Sequence, residues 1–474
     1  MKKTIFAVLA IAALVCSCTP KENYTPEGNE GIPFVATIQG ESYTRAVTES
    51  GGDIVVNFTA GDKIALIYEV SSTAYSTDAT VASVDGTGKA TITATLQSGV
   101  TDGTAVTLIY PAIAADGKSG NIKASMVTSQ NGALASNANL DIRKGTGTIR
   151  VVGAEASLAG GATLDALHSI CKFTIKDIDG TNNLSVSRFV VKDASNNVIT
   201  TVTPTSATDV LYVALPASSE LLWFEATASD KPYVAKGTAS LAAGNYYTPT
   251  VKMATVFNVI GANGKFYKDK AAAVAASTSA SAIIASLGED TAETGYPHGL
   301  AIAMGISTGM TKKWKAEGTA SHTQYASYDL ALAAKESGSA LCVGKNDADN
   351  YPAFYAALNN SITAAEGITS SKPSSGTSNW FLPSVYQINL IIKGLRGTTA
   401  NLTNMDQTAL RATDVYYPIQ PAGYVSAAPW NSTGNKVWTS TEKSDGEAWT
   451  YVSSGKMEGI NKTYVAYVIA TLAF

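Results

Sequence analysis

Between residues 32 and 253 the apolar residues come in short runs that stop at Gly, Asp, Asn or Ser, and few stretches keep helical spacing. This pattern constrains the fold more than any other feature of the chain. PFVATIQ (33–39), GDIVVNF (52–58), DKIALIYEV (62–70), KATITATL (89–96), TAVTLIYP (104–111) and GTIRVV (147–152) alternate or run apolar and then end in turns. A period of two with one apolar face is the signature of a half-buried strand. Asp85-Gly86 and Asp102-Gly103 are hairpin-type turn signals. A second group follows from about Leu164: CKFTIKDI, LSVSRFVVKD, NVITTVT, DVLYVALP, LLWFEATA and YYTPTVKM. Two antiparallel sandwiches in series, of transthyretin or immunoglobulin type, would bury these faces. We divide them as residues 32–160 and 161–254.

From Val256 the character changes. DKAAAVAASTSASAIIASL (269–287) is Ala-rich and long enough for a helix; YDLALAAKES (328–337) and AFYAALNNSI (353–362) are shorter candidates. In SVYQINLIIKGL, Val385, Ile388, Ile391 and Ile392 share one helical face, and Ser384 is placed to cap the first turn. KVWTST, EAWTYVSS and YVAYVIATLAF return to strand character. Residues 255–474 therefore read as a separate α+β domain, which holds five of the six tryptophans. The expected fold class is mainly β with this α+β domain at the end.

The chain opens MKKTIFAVLAIAALVCSCTPKE. Lys2 and Lys3 precede an apolar stretch, Ile5 to Val15, that is too short to span a bilayer comfortably. Residues 1–18 read as an export signal. Its end resembles the lipobox of bacterial lipoproteins, with Val15 at −3, Ser17 at −1 and Cys18 as the lipidated residue. Acyl chains on Cys18 would hold the protein on the outer membrane, since each buried methylene adds about 0.8 kcal/mol. Residues 19–31 are polar and turn-rich, a tether. Charged residues are only 15 % of the chain and the net charge is −4, so no broad basic footprint for nucleic acid exists. Cys171 and Cys342 lack metal-ligand spacing and read as small buried hydrophobes, with a disulfide between them left open.

Residues 32–253 resemble the fimbrillin-like proteins of Bacteroidales. The resemblance rests on NFTAGDKIALIY (57–68), on Leu164, Leu167, His168, Phe173 and Ile175 in the order L-x-x-L-H-x-x-x-x-F-x-I, and on Leu241, Ala243, Gly244, Tyr246 and Tyr247 in L-x-A-G-x-Y-Y. It implies a surface pilus subunit activated by a trypsin-like protease that cuts after an Arg beyond the tether. The cut displaces the first strand, and a neighbouring subunit's strand takes its place. Here the Arg would be Arg45, and the displaced strand 33–39 would carry Phe34, Val35 and Ile38 into the groove. Residues 255–474 resemble a second extracellular module related to C-type-lectin-like folds, through Trp380, Leu382, Pro383, Ser384 and Gln387 and through Val437-Trp438-Thr439-Ser440-Thr441-Glu442. No calcium-ligand triplet accompanies it.

The combination implies a tip or accessory subunit, because YVAYVIATLAF matches the closing strand of the terminal module and would not be free to act as a donor. Its partners would be other pilus subunits, outer-membrane lipid, and a glycan or host protein. The alternative is a surface lipoprotein that binds such a ligand without polymerising. Trp380, Trp438 and Trp449 read as core, and Tyr424 and Trp430, in loop-like surroundings, as the candidate recognition surface. His168, His298 and His322 are scattered, and no H-E-x-x-H, C-x-x-C, G-x-S-x-G or P-loop pattern occurs. No enzyme, metal or cofactor is implied.

Overall fold

The computed structural model describes residues 31–40, 45–50, 53–56, 58–134, 140–288, 290–305, 311–316, 322–360, 362, 365–397, 434–453 and 455–474, with the backbone alone at 40, 45–50, 53–56 and 311. The leader, Cys18, the tether through residue 30, Tyr424 and Trp430 lie outside the described residues. The protein is mainly β, with several sheets.

The first unit contains β1 (Ile32–Gly40), β2 (Arg45–Ser50), β3 (Asp53–Val56), β4 (Lys63–Val70), β5 (Thr73–Val84), β6 (Ala90–Leu96), β7 (Ala105–Tyr110), β8 (Ser129–Gln130), β9 (Arg143–Val152), β10 (Glu155–Leu158) and β11 (Ala162–Ala166). Its main sheet runs β6-β5-β4-β7-β9. β9 then pairs with β10 and β11, which both pair with β1, and β1 pairs back to β6. The sheet therefore returns on itself. Alternation along a strand calls for one buried face, which a sandwich and a closed barrel supply equally. The pairing of β1 with β6 decides for closure here. Phe34, Ile64, Leu66, Ile92, Leu108 and Ile149 share the enclosed core. The Asp85 signal is a real turn: Asp85 Oδ1 accepts from Thr87 N (2.8 Å) and Lys89 N (3.0 Å) between β5 and β6.

β11 belongs to this sheet, so the first unit runs past residue 160, to Ala166. The second unit has two facing sheets. In one, Ser169–Asp177 lies between Val210–Leu215 and the strands Tyr246–Tyr247 and Thr250–Met253; in the other the order is Lys231–Thr238, Leu221–Ala228, Arg188–Lys192, Val198–Val202 and β8. Phe173, Phe189 and Phe224 meet between the sheets with ring centroids 5.3–5.8 Å apart. β8 reaches this unit from the long connection after β7. The buried Gln130 amide donates to Ala214 O (2.8 Å) and accepts from Ala214 N (2.9 Å), as a strand neighbour would.

The C-terminal unit holds two five-stranded sheets and short helices. The Val385–Arg396 helix forms as its sequence implies. Ser384 and Gln387 close a capping box, Gly397 ends the helix at φ 65°, and Val385, Ile388, Ile391 and Ile392 are buried. The Ala-rich stretch 269–287 is not one helix. A helix covers Lys270–Ala275, and Ala280–Leu287 is a strand buried between the strands Val259–Gly261 and Gly299–Ala303. Ser277, at φ 58°, turns the chain between them. Small side chains and two β-branched isoleucines suit a strand covered on both faces, so tertiary packing overrides alanine's helix preference.

The second and third units share a core through Trp223, Val234 and Ala254. Trp223 stacks on His298 at 3.7 Å between centroids, and Glu225 Oε1 takes both His298 Nδ1 and the buried Lys192 Nζ at 2.9 Å. Among the described residues no helix is long and apolar enough to cross a membrane.

Candidate functional site

The strand that closes the first unit is also the first strand of the described chain. β1 pairs with β6 antiparallel over seven positions, from Ile32 opposite Leu96 to Ile38 opposite Ala90. Its other edge runs parallel to β10 (Phe34 opposite Ala156) and to β11 (Ile38 opposite Ala162, Gly40 opposite Leu164). Gly160 and Gly161 separate β10 from β11, and a Cβ on Gly161, at φ 77°, would stand 3.0 Å from Thr37 O. Only glycine fits that combination of a left-handed backbone and close approach.

Successive residues of a strand point to opposite faces. Phe34, Ala36 and Ile38 are accordingly buried, whereas Val35 is 53 % exposed. The expected inward set of Phe34, Val35 and Ile38 is corrected to Phe34, Ala36 and Ile38. Counting by two from Phe34 would have found Ala36. Full burial of a Phe or Ile side chain is worth about 1.5–3 kcal/mol, so β1 is held by apolar contact on one face and by backbone pairing on both edges.

Arg45 begins β2, which pairs with β3 as a separate two-stranded hairpin, with Arg45 opposite Val56 and a register shift before Thr48. A break after Arg45 would therefore detach β1 from the chain that follows and leave β4 to β11 continuous.

At the other end, Val465–Tyr467 pairs with Thr311–Lys313 and with Val437. Thr471–Ala473 pairs with Gly299–Ala303, and Phe474 O accepts from His298 N (2.7 Å) and Gly299 N (3.1 Å). Ser378 adds bonds to Ala473 through both its backbone N and its hydroxyl. Residues 465–474 are thus consumed within their own unit.

The motif around Trp380 builds a structural knot. Gln387 Oε1 accepts from Ser384 N and Gly338 N, both at 3.0 Å, and Gln387 Nε2 donates to Glu293 Oε1 (2.7 Å) and Thr291 O (3.0 Å). Glu293 also takes Ser337 Oγ (2.9 Å), Ser339 N (3.1 Å) and the Ser339 hydroxyl. Every arm of the amide is committed to protein. Trp380, Trp438 and Trp449 are core residues, each donating its indole N–H to a backbone carbonyl. Cys171 and Cys342 are free and lie in different cores; burial pushes both thiols up to about 12. His168 is largely buried at the edge of a small cavity between the first two units, and burial holds its imidazole below the ordinary range.

No family model matches the chain, and no curated protein matches it. Solved structures with some likeness include a fimbrial protein from Bacteroides ovatus (14 % identity, TM-score 0.27, covering 94 % of this chain and 100 % of that one). A fimbrial assembly protein from Parabacteroides distasonis is 10 % identical with a TM-score of 0.29, over 47 % of this chain and 92 % of that one. A shaft pilin from Lactobacillus rhamnosus GG is 10 % identical with a TM-score of 0.23, over 48 % and 99 % respectively.

Proposed function

We propose that this chain is a cell-surface pilus or adhesion subunit, tethered to the outer membrane through lipid on Cys18 and assembled by exchange of β1. The observation that carries the reading is the two-sided seat of β1. This strand fills a slot between β6 and the β10–β11 edge, and one cut at Arg45 would separate it from the rest of its barrel. An extended segment from another subunit could take the same backbone pairing and present alternate side chains to the places of Phe34, Ala36 and Ile38. Until then β1 protects two edges that would otherwise invite aggregation. A tip or accessory position is supported by the commitment of Val465–Tyr467 and Thr471–Ala473 to internal sheets, which leaves that segment unavailable as a donor. The C-terminal unit is then the part presented to a glycan or host protein.

The test is limited trypsin treatment of the protein, with Arg45→Ala as the control. The expected product is cut after Arg45 and exchanges its bound strand for a labelled peptide of residues 31–40; the control does neither. If the cut protein keeps β1 against a large excess of peptide, strand exchange is wrong. The chain is then a non-polymerising surface lipoprotein with a binding role.

A further inference from the structure

The seat of β1 is graded by size. On β6, Phe34 stands opposite Ala94, Ala36 opposite Ile92, and Ile38 opposite Ala90. On the other edge Phe34 stands opposite Ala156 of β10, and Ile38 opposite Ala162 of β11. Both large side chains of the strand thus have alanine on either side, and the small one meets the large Ile92. Leu158 lies two residues beyond Ala156 on β10, so it shares the inward face, and it is buried in the same core. Large residues face small ones and small faces large on both edges of the slot. Pro33, Val35, Thr37 and Gln39 point the other way and are exposed.

This grading limits what else can occupy the slot. Residues directly opposite on one face of an antiparallel pair have Cβ atoms only about 4.5–5.5 Å apart, so the two side chains share one volume. Ile92 has no room to give way. It is β-branched and therefore stiff at χ1. It is also fully buried, and on its far side stands the buried Val81 of β5. Extra methylenes forced into such a site strain the side chains around them. At the two end places the penalty is reversed. A small residue there leaves empty volume between two alanines, and the lining loses its contacts.

We propose that the slot selects its partner by this pattern. It takes an extended segment of another subunit with a large apolar, a small and a large apolar residue at alternate positions, and Ile92 is the residue that holds the middle place to about the size of alanine. The inference rests on the strand-exchange reading above and adds which strands are accepted. A donor with large apolar residues at all three places is refused, although it offers more apolar surface. Simple hydrophobic capture would give the opposite order, since affinity would then rise with the area buried.

The experiment uses the protein cut after Arg45, its slot loaded with a fluorescent peptide of residues 31–40, and unlabelled peptides of the same residues as competitors. The Ala36→Leu peptide should bind about 30-fold more weakly than the natural one. The Val35→Leu peptide, enlarged on the exposed face, should stay within about 3-fold. Against Ile92→Ala protein the Ala36→Leu peptide should regain about tenfold relative to the natural peptide. Ile92→Val removes one methyl group, should give a smaller gain, and serves if Ile92→Ala does not fold. Equal or tighter binding of the Ala36→Leu peptide to the natural protein overturns the size rule and leaves strand exchange standing. A loss that neither Ile92 variant relieves overturns the role of Ile92. A slot that never takes up the natural peptide overturns strand exchange, and the partner assigned here falls with it.

Discussion

Truncating Ile38 tests the geometry of the exchangeable strand most directly. Ile38 is fully buried, and its strand neighbours are both alanines, Ala90 on β6 and Ala162 on β11. Small neighbours leave little to collapse into the space, so Ile38→Ala should cost about 3 kcal/mol, within the roughly 2–5 kcal/mol seen for such core truncations. Val35, one residue along the pleat, is largely exposed, and Val35→Ala should cost under about 0.5 kcal/mol. The assay is competition by peptides of residues 31–40 for the slot of protein cut after Arg45. At about 1.4 kcal/mol per tenfold, the Ile38→Ala peptide should bind on the order of 100-fold more weakly than the natural one, and the Val35→Ala peptide within about 3-fold. Equal losses for the two peptides would refute the assignment of faces. A slot that discriminates against neither would refute the claim that apolar side chains seat the strand.

Three further outcomes follow from buried polar groups. Glu225→Ala should destabilise the junction of the second and third units by about 3–5 kcal/mol, because Lys192 would be left buried without its carboxylate; adding Lys192→Met should recover part of the loss in a thermal unfolding comparison. Gln387→Glu should be destabilising near neutral pH, since it sets a second carboxylate against Glu293 where the amide N–H now donates, and urea unfolding should show the penalty shrinking in acid. Burial holds His168, His298 and His322 below their ordinary value of 6.5, the last at about 4. The unfolded chain therefore takes up protons before the folded one as the pH falls. Stability from this source is full above pH 6.5 and is lost on the way down through the folded values. His322→Gln should flatten the lower part of a plot of urea midpoint against pH.

Much of the local structure was legible because its causes are local. Strand alternation marked β1, β4, β6 and β7, and the Ser384–Gln387 cap with its apolar face marked the Val385–Arg396 helix. The failures share a cause. The 269–287 stretch carries alanines that favour a helix in isolation, but a place between two strands of a buried sheet favours the extended form. The division drawn at residue 160 fell short because β11 joins the first unit by pairing with β1 and β9, and distant pairings of that kind leave no local mark.

The sequence by itself determined most strands of the first two units and the mainly β class, because turn chemistry and a period of two act over a few residues. Only the tertiary structure decided that β1 closes its sheet against β6, that β10 and β11 line its other edge, and that residues 280–287 run as a strand inside a buried sheet. Those outcomes depend on which distant edges pair, and pairing is chosen by the packing of the whole core.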